Sequence, residues 1–185
     1  MTPAPVVFLV DVDNTLLDND QIQDGLKRHL EREFGATTRD RYWAILEALF
    51  VELGYRDYLG ALQRYRVEHL KDVHLMSMSS YLVDYPFADR LYPGALDVIE
   101  RLRTLGPTVT LSRYPAQHYV LIDDKPRILA AVKEAWADRV TTVFPRQGQY
   151  AQDAKSYRPA DATVERIGDL LTHDFSGLLL PEVTR

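Results

Sequence analysis

A continuous apolar run near the start of the chain limits the folds that the sequence can adopt. Residues 6–10 read VVFLV, are rich in β-branched side chains, and end at the carboxylate of Asp11. A run without alternating polar residues is typical of a strand buried on both faces, as in the middle of a parallel sheet. Further apolar runs of strand length predict the remaining strands at residues 108–111, 119–122, 140–144 and 163–164.

Helical periodicity fills the long interval between the first two predicted strands. Apolar residues begin to recur at helical spacing with Ile22, Leu26, Leu30 and Phe34. Asp20 is the predicted N-cap of this helix, and Gly35 its predicted end. Later helices, at residues 93–106 and 126–136, alternate with strands. The pattern indicates an α/β fold with a doubly wound parallel sheet. Residues 1–17 and 89–185 form the predicted core domain, and residues 18–88 form an inserted α-helical module.

The composition argues against several classes of protein. The 185 residues carry a formal net charge of −5, whereas a general nucleic-acid binder presents a basic surface. The absence of cysteine excludes disulfides and thiolate metal sites. The run at residues 6–10 is too short to span a membrane, and it lacks the basic flank of a signal peptide. We therefore expect a soluble cytoplasmic protein that acts without nucleic acid or membrane partners.

Polar side chains follow three of the predicted strands at the point where each strand ends. Asp11 and Asp13 follow the first strand, Ser112 the second, and Asp123 and Asp124 the third. Ligands of open parallel sheets bind at the carboxyl ends of the strands, so these side chains are expected to converge. Carboxylates brought together in a cleft repel one another, and a bound cation relieves that repulsion. An all-oxygen set of ligands suits Mg²⁺.

Three segments carry a resemblance to a known family. DVDNTLLD at residues 11–18 resembles the first motif of the haloacid dehalogenase-like superfamily of hydrolases. TVTLS at residues 108–112 is similar to its second motif, and VLIDD at residues 120–124 to its fourth. The helical module lies where some members of the family carry a helical cap. The resemblance implies a Rossmann-like core, a Mg²⁺ cofactor and hydrolysis of a small-molecule phosphate ester.

The same resemblance implies a role for each site residue. Asp11 would be the nucleophile, forming an aspartyl-phosphate, and Asp13 would act as general acid and base. The metal ligands would be Asp11, the backbone carbonyl of Asp13, Asp124 directly, and Asp123 directly or through water. Ser112 would hydrogen-bond a phosphoryl oxygen, while Asn14 and Thr15 hold the turn and present N–H groups to the phosphate. Dehalogenating members of the family lack an acid at the position of Asp13, so Asp13 favours phosphate esters.

The interval between the second and third predicted strands is too short for this fold. Only residues 113–118, RYPAQH, lie between Ser112 and the third strand, whereas a crossover between parallel strands takes a dozen or more residues. RYPAQH resembles the tail of a helix that leads into the third strand. We infer that a strand-helix unit of the core is missing between Ser112 and Arg113.

The family carries a lysine, its third motif, in this interval, and residues 113–118 contain none. Lys125 or Arg113 could supply the cation instead, although the favoured interpretation of Lys125 is an exposed residue at a helix start. We expect weaker phosphatase activity than in a homologue that retains the missing unit.

Other interpretations of the same residues remain open. Asp123 and Asp124 could cap a helix that begins at Pro126. Ser112 alone could be an ordinary hydroxyl at a strand end. The chain could transfer the phosphoryl group to another acceptor, as a mutase does, or could be an inactive binding or regulatory module. The sequence identifies neither the substrate nor the oligomeric state.

Overall fold

The computed structural model describes residues 4–109 and 116–179. Its centre is a five-stranded, all-parallel sheet with the strand order β2-β1-β3-β4-β5. The strands are β1 (Ala4–Val10), β2 (Thr108–Val109), β3 (Ala116–Ile122), β4 (Val140–Pro145) and β5 (Ala162–Val164). This topology confirms the predicted α/β fold with a parallel, Rossmann-like sheet.

The side chains of β1 explain why its sequence is apolar without interruption. Val6, Phe8 and Val10 pack on one face of the sheet against helix α5 (Ala95–Leu105), whereas Val7 and Leu9 pack on the other face, in the cluster that includes Leu129 of helix α6 (Pro126–Trp136). Helices therefore cover both faces, and neither face of the strand can be polar. Phe8 is fully buried, and its replacement by alanine would cost about 3–5 kcal/mol.

The chain divides into two compact units, Met1–Asp20 with Ala88–Arg185, and Gln21–Phe87. The second, which we call the helical unit, has its own buried cluster, built around Leu26, Leu46, Leu62 and Met78. The helices of the insert are α1 (Asn19–Phe34), α2 (Ala36–Leu53), α3 (Tyr58–Glu68) and α4 (Met78–Val83), with 3₁₀ turns at Val73–Ser77 and Phe87–Arg90. Helix α2 ends at Gly54, which adopts a left-handed conformation with φ of 82°.

The remaining helical segments belong to the first unit. They are α5, α6 and the short α7 (Ser176–Leu179), with 3₁₀ turns at Ala137–Arg139, Gln149–Ser156 and Ile167–Leu171. The mostly polar sequence of residues 146–159 predicts a loop, but Gln149–Ser156 forms a 3₁₀ turn. No helix within the described ranges is both long enough and apolar enough to cross a membrane.

Strand β1 lies between β2 and β3, the two strands that a short segment of the chain connects. Both β2 and β3 pair with β1 in parallel, so they are not neighbours in the sheet. Strand β3 begins at Ala116, three residues before the predicted start, and residues 116–118 are therefore strand rather than the tail of a helix. Residues 110–115 lie outside the described ranges, and the absence of a strand-helix unit before Arg113 stays a prediction.

Candidate active site

The register of the sheet places the acidic residues of β1 and β3 side by side. Val10 pairs with Ile122, and the N–H of Asp11 donates to the carbonyl of Ile122 at 2.9 Å. The residues that follow these two, Asp11 and Asp123, therefore leave the sheet at the same level of its carboxyl edge. The N–H of Asp123 in turn donates to the carbonyl of Val143 on β4, which fixes the backbone on its other side.

Three carboxylates converge at this edge, namely those of Asp11, Asp123 and Asp124. Each offers an oxygen, and these oxygens all lie within 4.8 Å of one another. Asp124 is fully buried and Asp123 is 5% exposed, so solvent cannot screen their charges. Oδ2 of Asp124 is buried and receives no hydrogen bond from any residue that the structure describes. A buried acceptor without a donor is costly, and a divalent cation would satisfy it. The three carboxylates therefore form a suitable site for Mg²⁺.

Lys125 supplies the positive charge that the cluster needs. Its Nζ lies 3.1 Å from Oδ2 of Asp11 and 3.1 Å from Oδ1 of Asp124. The ring centroid of Tyr150 is 5.8 Å from the same ammonium. Burial alone would lower the pKa of Lys125, but Asp124 and Asp11 outweigh it, and the pKa is raised. The ammonium therefore stays charged, and Lys125 is a member of the site rather than a solvated residue at a helix start.

For Asp123 and Asp124, burial outweighs the neighbouring positive charge, and their pKa values are raised. Burial is the main cause that raises the pKa of Asp124 to about 7, and Lys125 offsets only part of the effect. Burial, followed by the charge of Asp11, raises the pKa of Asp123 to about 6. The metal-free cluster therefore holds protons that an ordinary aspartate would release, and a bound cation would displace them.

Asp13 lies beside the cluster and does not join it. Its side chain is exposed, in the extended segment after β1. Burial of part of the carboxyl group, and then the charge of Asp11, raise its pKa, which favours the protonated form. The backbone N–H groups of Val12 and Asp13 have no acceptor in the described part of the chain. These two donors are available to an anion bound in front of Asp11.

Asn14 and Thr15 are buried, and their side chains hold the site together. Oδ1 of Asn14 accepts hydrogen bonds from the N–H groups of Asn19 and Asp20 at 3.0 and 3.2 Å, so Asn14 caps helix α1. Asp20 was the predicted cap, but it lies within the helix. Oγ1 of Thr15 accepts a hydrogen bond from the N–H of Asp124 at 3.1 Å, which ties the loop after β1 to the loop after β3.

The backbone N–H groups of Asn14 and Thr15, which were expected to face a phosphate, donate to carbonyls within the loop instead. The N–H of Asn14 donates to the carbonyl of Leu17, and the N–H of Thr15 donates to the carbonyl of Val12. Contacts of Asn14 and Thr15 with a substrate stay a prediction. Ser112 and Arg113, the other residues considered for phosphate, lie outside the described ranges.

Sequence reasoning missed Gln147, which follows β4. Its Nε2 donates to the carbonyls of Asn14 and Thr15 at 3.1 and 2.7 Å, and its Oε1 accepts from the N–H of Ile167 at 3.0 Å. Gly148 follows with φ of 72°, and a Cβ there would lie 2.8 Å from Cβ of Asn14. The dipeptide therefore closes over the loop that carries Asp13. A glycine three residues after the end of β4 was the only signal in the sequence that pointed to this close approach.

Comparison with known proteins places the chain in a family. No family model matches the sequence, and no curated protein matches it. Among solved structures, a haloacid dehalogenase-like hydrolase from Burkholderia xenovorans LB400 is 48% identical, with a TM-score of 0.83 over 93% of this chain and 100% of the other. A haloacid dehalogenase-like hydrolase from Bacteroides fragilis is 16% identical, with a TM-score of 0.49 over 89% of this chain and 98% of the other. Since the Burkholderia protein is matched over its whole length at close to half identity, this chain belongs to the haloacid dehalogenase-like hydrolases.

Proposed function

We propose that this hydrolase is a Mg²⁺-dependent phosphatase that acts on a small-molecule phosphate ester through an aspartyl-phosphate intermediate. The observation that carries the proposal is the buried, unsatisfied Oδ2 of Asp124 within a cluster of three carboxylates, with Lys125 bridging two of them. This arrangement combines a site for a divalent cation with a carboxylate, that of Asp11, which is 30% exposed and accessible to a substrate.

The residues that would hold Mg²⁺ are Asp11 and Asp124 through carboxylate oxygens, Asp123 directly or through water, and Asp13 through its backbone carbonyl. When bound, the ion neutralises charge on the phosphoryl oxygens and orients the ester toward Asp11. Asp124 is suited to direct ligation because it has a buried oxygen without a donor. Asp123 already accepts a hydrogen bond from the N–H of Lys125 at 2.8 Å through Oδ1, which leaves its second oxygen for a water or the ion.

Asp11 would attack the ester and Asp13 would move the proton. An oxygen of Asp11 forms a bond to phosphorus as the bond from phosphorus to the ester oxygen breaks, and Asp13 gives its proton to the departing oxygen. A water molecule then attacks the phosphorus of the aspartyl-phosphate and loses a proton to Asp13, which frees Asp11 and inorganic phosphate. The raised pKa of Asp13 suits the first of these steps, because the acid must be protonated when the ester arrives.

Lys125 would stabilise the charge that accumulates during both displacements. The ammonium lies 3.1 Å from the oxygen of Asp11 in a half-buried setting, where electrostatic interactions are stronger than in water. The N–H groups of Val12 and Asp13 would add hydrogen bonds to the phosphoryl oxygens. These donors are fixed by the fold, so little reorganisation accompanies the reaction.

A direct test is hydrolysis of para-nitrophenyl phosphate by the purified chain with Mg²⁺ and with a chelator. We expect turnover that requires Mg²⁺ and is abolished in Asp11→Asn, while Asp97→Asn, an exposed aspartate on α5, leaves it unchanged. Rapid acid quench should show a phosphoryl group on a peptide that contains Asp11. Turnover in Asp11→Asn at the rate of the unmodified chain would refute the proposal.

The same assay distinguishes a phosphatase from a mutase and from an inactive binding module, the two alternatives that the sequence leaves open. A mutase would yield a phosphorylated acceptor rather than inorganic phosphate when a sugar is added. An inactive module would bind phosphate esters or Mg²⁺ without turnover, and Asp11→Asn would leave that binding unchanged. A rate well below that of a family member that retains the missing strand-helix unit is the outcome that we expect for this chain.

A further inference from the structure

A cavity lies between helix α6 and the segment after β4, in the unit of the chain that also holds the aspartate cluster. Its volume is about 220 Å³. Pro126 and Leu129 of α6 and Phe144 of β4 form its floor, and all three are buried. The volume is below the range of about 300–1,000 Å³ that pockets for drug-sized ligands occupy. The cavity therefore fits a single ring or a short branched chain.

Three cations surround the opening of this cavity. Arg146, Lys155 and Arg158 line it and are exposed. Arg146 contacts Glu165 at 3.3 Å, but both side chains are more than half exposed, and such pairs are weak. Lys155 and Arg158 make no ion pair with any side chain that the structure describes. A local concentration of positive charge on a protein whose formal net charge is −5 favours an anionic ligand.

We infer that this cavity binds a small amphipathic anion, with one apolar ring or branched chain on the floor formed by Pro126, Leu129 and Phe144 and one acidic head group between Lys155 and Arg158. The apolar body gains from leaving water, and the head group gains charge-assisted hydrogen bonds from ammonium and guanidinium donors. The arrangement combines an apolar lining with a few polar groups that fix the orientation of the ligand, as small-molecule sites generally do.

The ligand would not share the residues of the aspartate cluster. No residue of that cluster lines the cavity, and its lining includes Arg146, Thr163 and Ala160 but not Lys125. Without a divalent cation, the aspartate cluster offers an anion one ammonium, that of Lys125, beside three carboxyl groups. Binding in metal-free protein therefore separates the two sites experimentally.

The test uses probes that share a benzyl group and differ in the attached polar group. Phenylacetate and benzylphosphonate are anionic, benzyl alcohol is neutral and benzylamine is cationic. We expect at least one anion to bind the metal-free chain in calorimetry, benzyl alcohol to bind at least about tenfold more weakly, and benzylamine not to bind. The anion that binds more tightly identifies the head group. Absence of binding by both anions, or equal binding by benzylamine, would overturn the inference.

Matched variants locate the binding. Lys155→Ala with Arg158→Ala should weaken the anion at least about tenfold, whereas Lys71→Ala with Arg103→Ala, which removes two exposed cations elsewhere, should not. Ala160→Leu should weaken binding by filling the cavity, and a thermal melt checks that each variant is folded. Binding that survives the first pair of changes and Ala160→Leu but is lost in Asp11→Asn would place the anion at the aspartate cluster and overturn the inference.

Discussion

The ammonium of Lys125 lies 3.1 Å from a carboxylate oxygen of Asp11, although 114 positions separate the two residues in the chain. The contact exists because parallel pairing of β1 with β3 brings the ends of both strands to one edge. Lys125 comes immediately after Asp124 and touches that residue as well. One lysine thus connects the carboxylate proposed as nucleophile with the carboxylate proposed as the direct metal ligand.

Replacing Lys125 with methionine should lower kcat/KM for para-nitrophenyl phosphate by about 10²–10³-fold, because the transferring phosphoryl group loses a fixed positive charge. Methionine is close in size to the apolar stem of lysine and lacks the ammonium. Lys71→Met, at an exposed position of the helical unit, is the matched control and should keep full activity. A change of less than about twofold in Lys125→Met would remove Lys125 from the mechanism.

Asp13→Asn should slow esters with poor leaving groups far more than esters with good ones. An alkyl phosphate needs a proton on its departing oxygen, whereas para-nitrophenolate leaves without one. We expect kcat/KM, which reports the first displacement, to fall about 10²–10⁴-fold for the alkyl ester and much less for para-nitrophenyl phosphate. Steady-state rates for a series of leaving groups measure the difference. Equal loss for all esters would show that Asp13 does not donate the proton.

The unfolding free energy of the metal-free chain should fall as pH rises from about 4 to about 7. The folded-state pKa values of Asp123 and Asp124, about 6 and about 7, lie above the ordinary value of 3.8. The folded state therefore binds more protons than the unfolded state within this window, and stability decreases with pH. Each pKa unit corresponds to about 1.4 kcal/mol. Urea unfolding at several pH values measures the slope, and a rise in stability across the window would contradict it.

Bound Mg²⁺ should stabilise the folded chain more at high pH than at low pH. The ion binds the ionised carboxylates, so protons compete with it at low pH. Millimolar Mg²⁺ is therefore expected to raise Tm more at about pH 8 than at about pH 5. Asp124→Asn should lose most of the Mg²⁺ effect, whereas Asp97→Asn should keep it. An equal increase in Tm at both pH values would indicate that the ion binds elsewhere.

Gln147→Glu should destabilise the fold by about 1–3 kcal/mol although the two side chains have the same shape. Nε2 of Gln147 donates to two carbonyls, those of Asn14 and Thr15, and a carboxylate has no hydrogen to donate. Gln152→Glu, at an exposed position, introduces the same charge and should change stability little. The unfolding free energies of the two variants in urea provide the comparison, and similar values would mean that the contacts of Gln147 contribute nothing.

Prediction from sequence succeeded where the signal was local. The run at residues 6–10 identified β1 because a strand buried on both faces must be apolar throughout. The same logic located Asp11, Asp123 and Asp124 at strand ends, and the structure brings them together. The sequence favoured an exposed Lys125, which was wrong, because the direction of its side chain depends on where α6 begins relative to β1. Gln147 was missed because a polar residue after a strand carries no periodic signal.

The sequence by itself determined where β1, α5 and α6 lie and which acidic residues end β1 and β3, since burial and chain reversal leave marks in neighbouring residues. Only the tertiary structure decided that β1 separates β2 from β3, that Asn14 rather than Asp20 caps α1, and that Oδ2 of Asp124 is buried without a donor. Each of these depends on groups far apart in the chain. Their distances are set by how the sheet and its helices pack together, which no short stretch of sequence records.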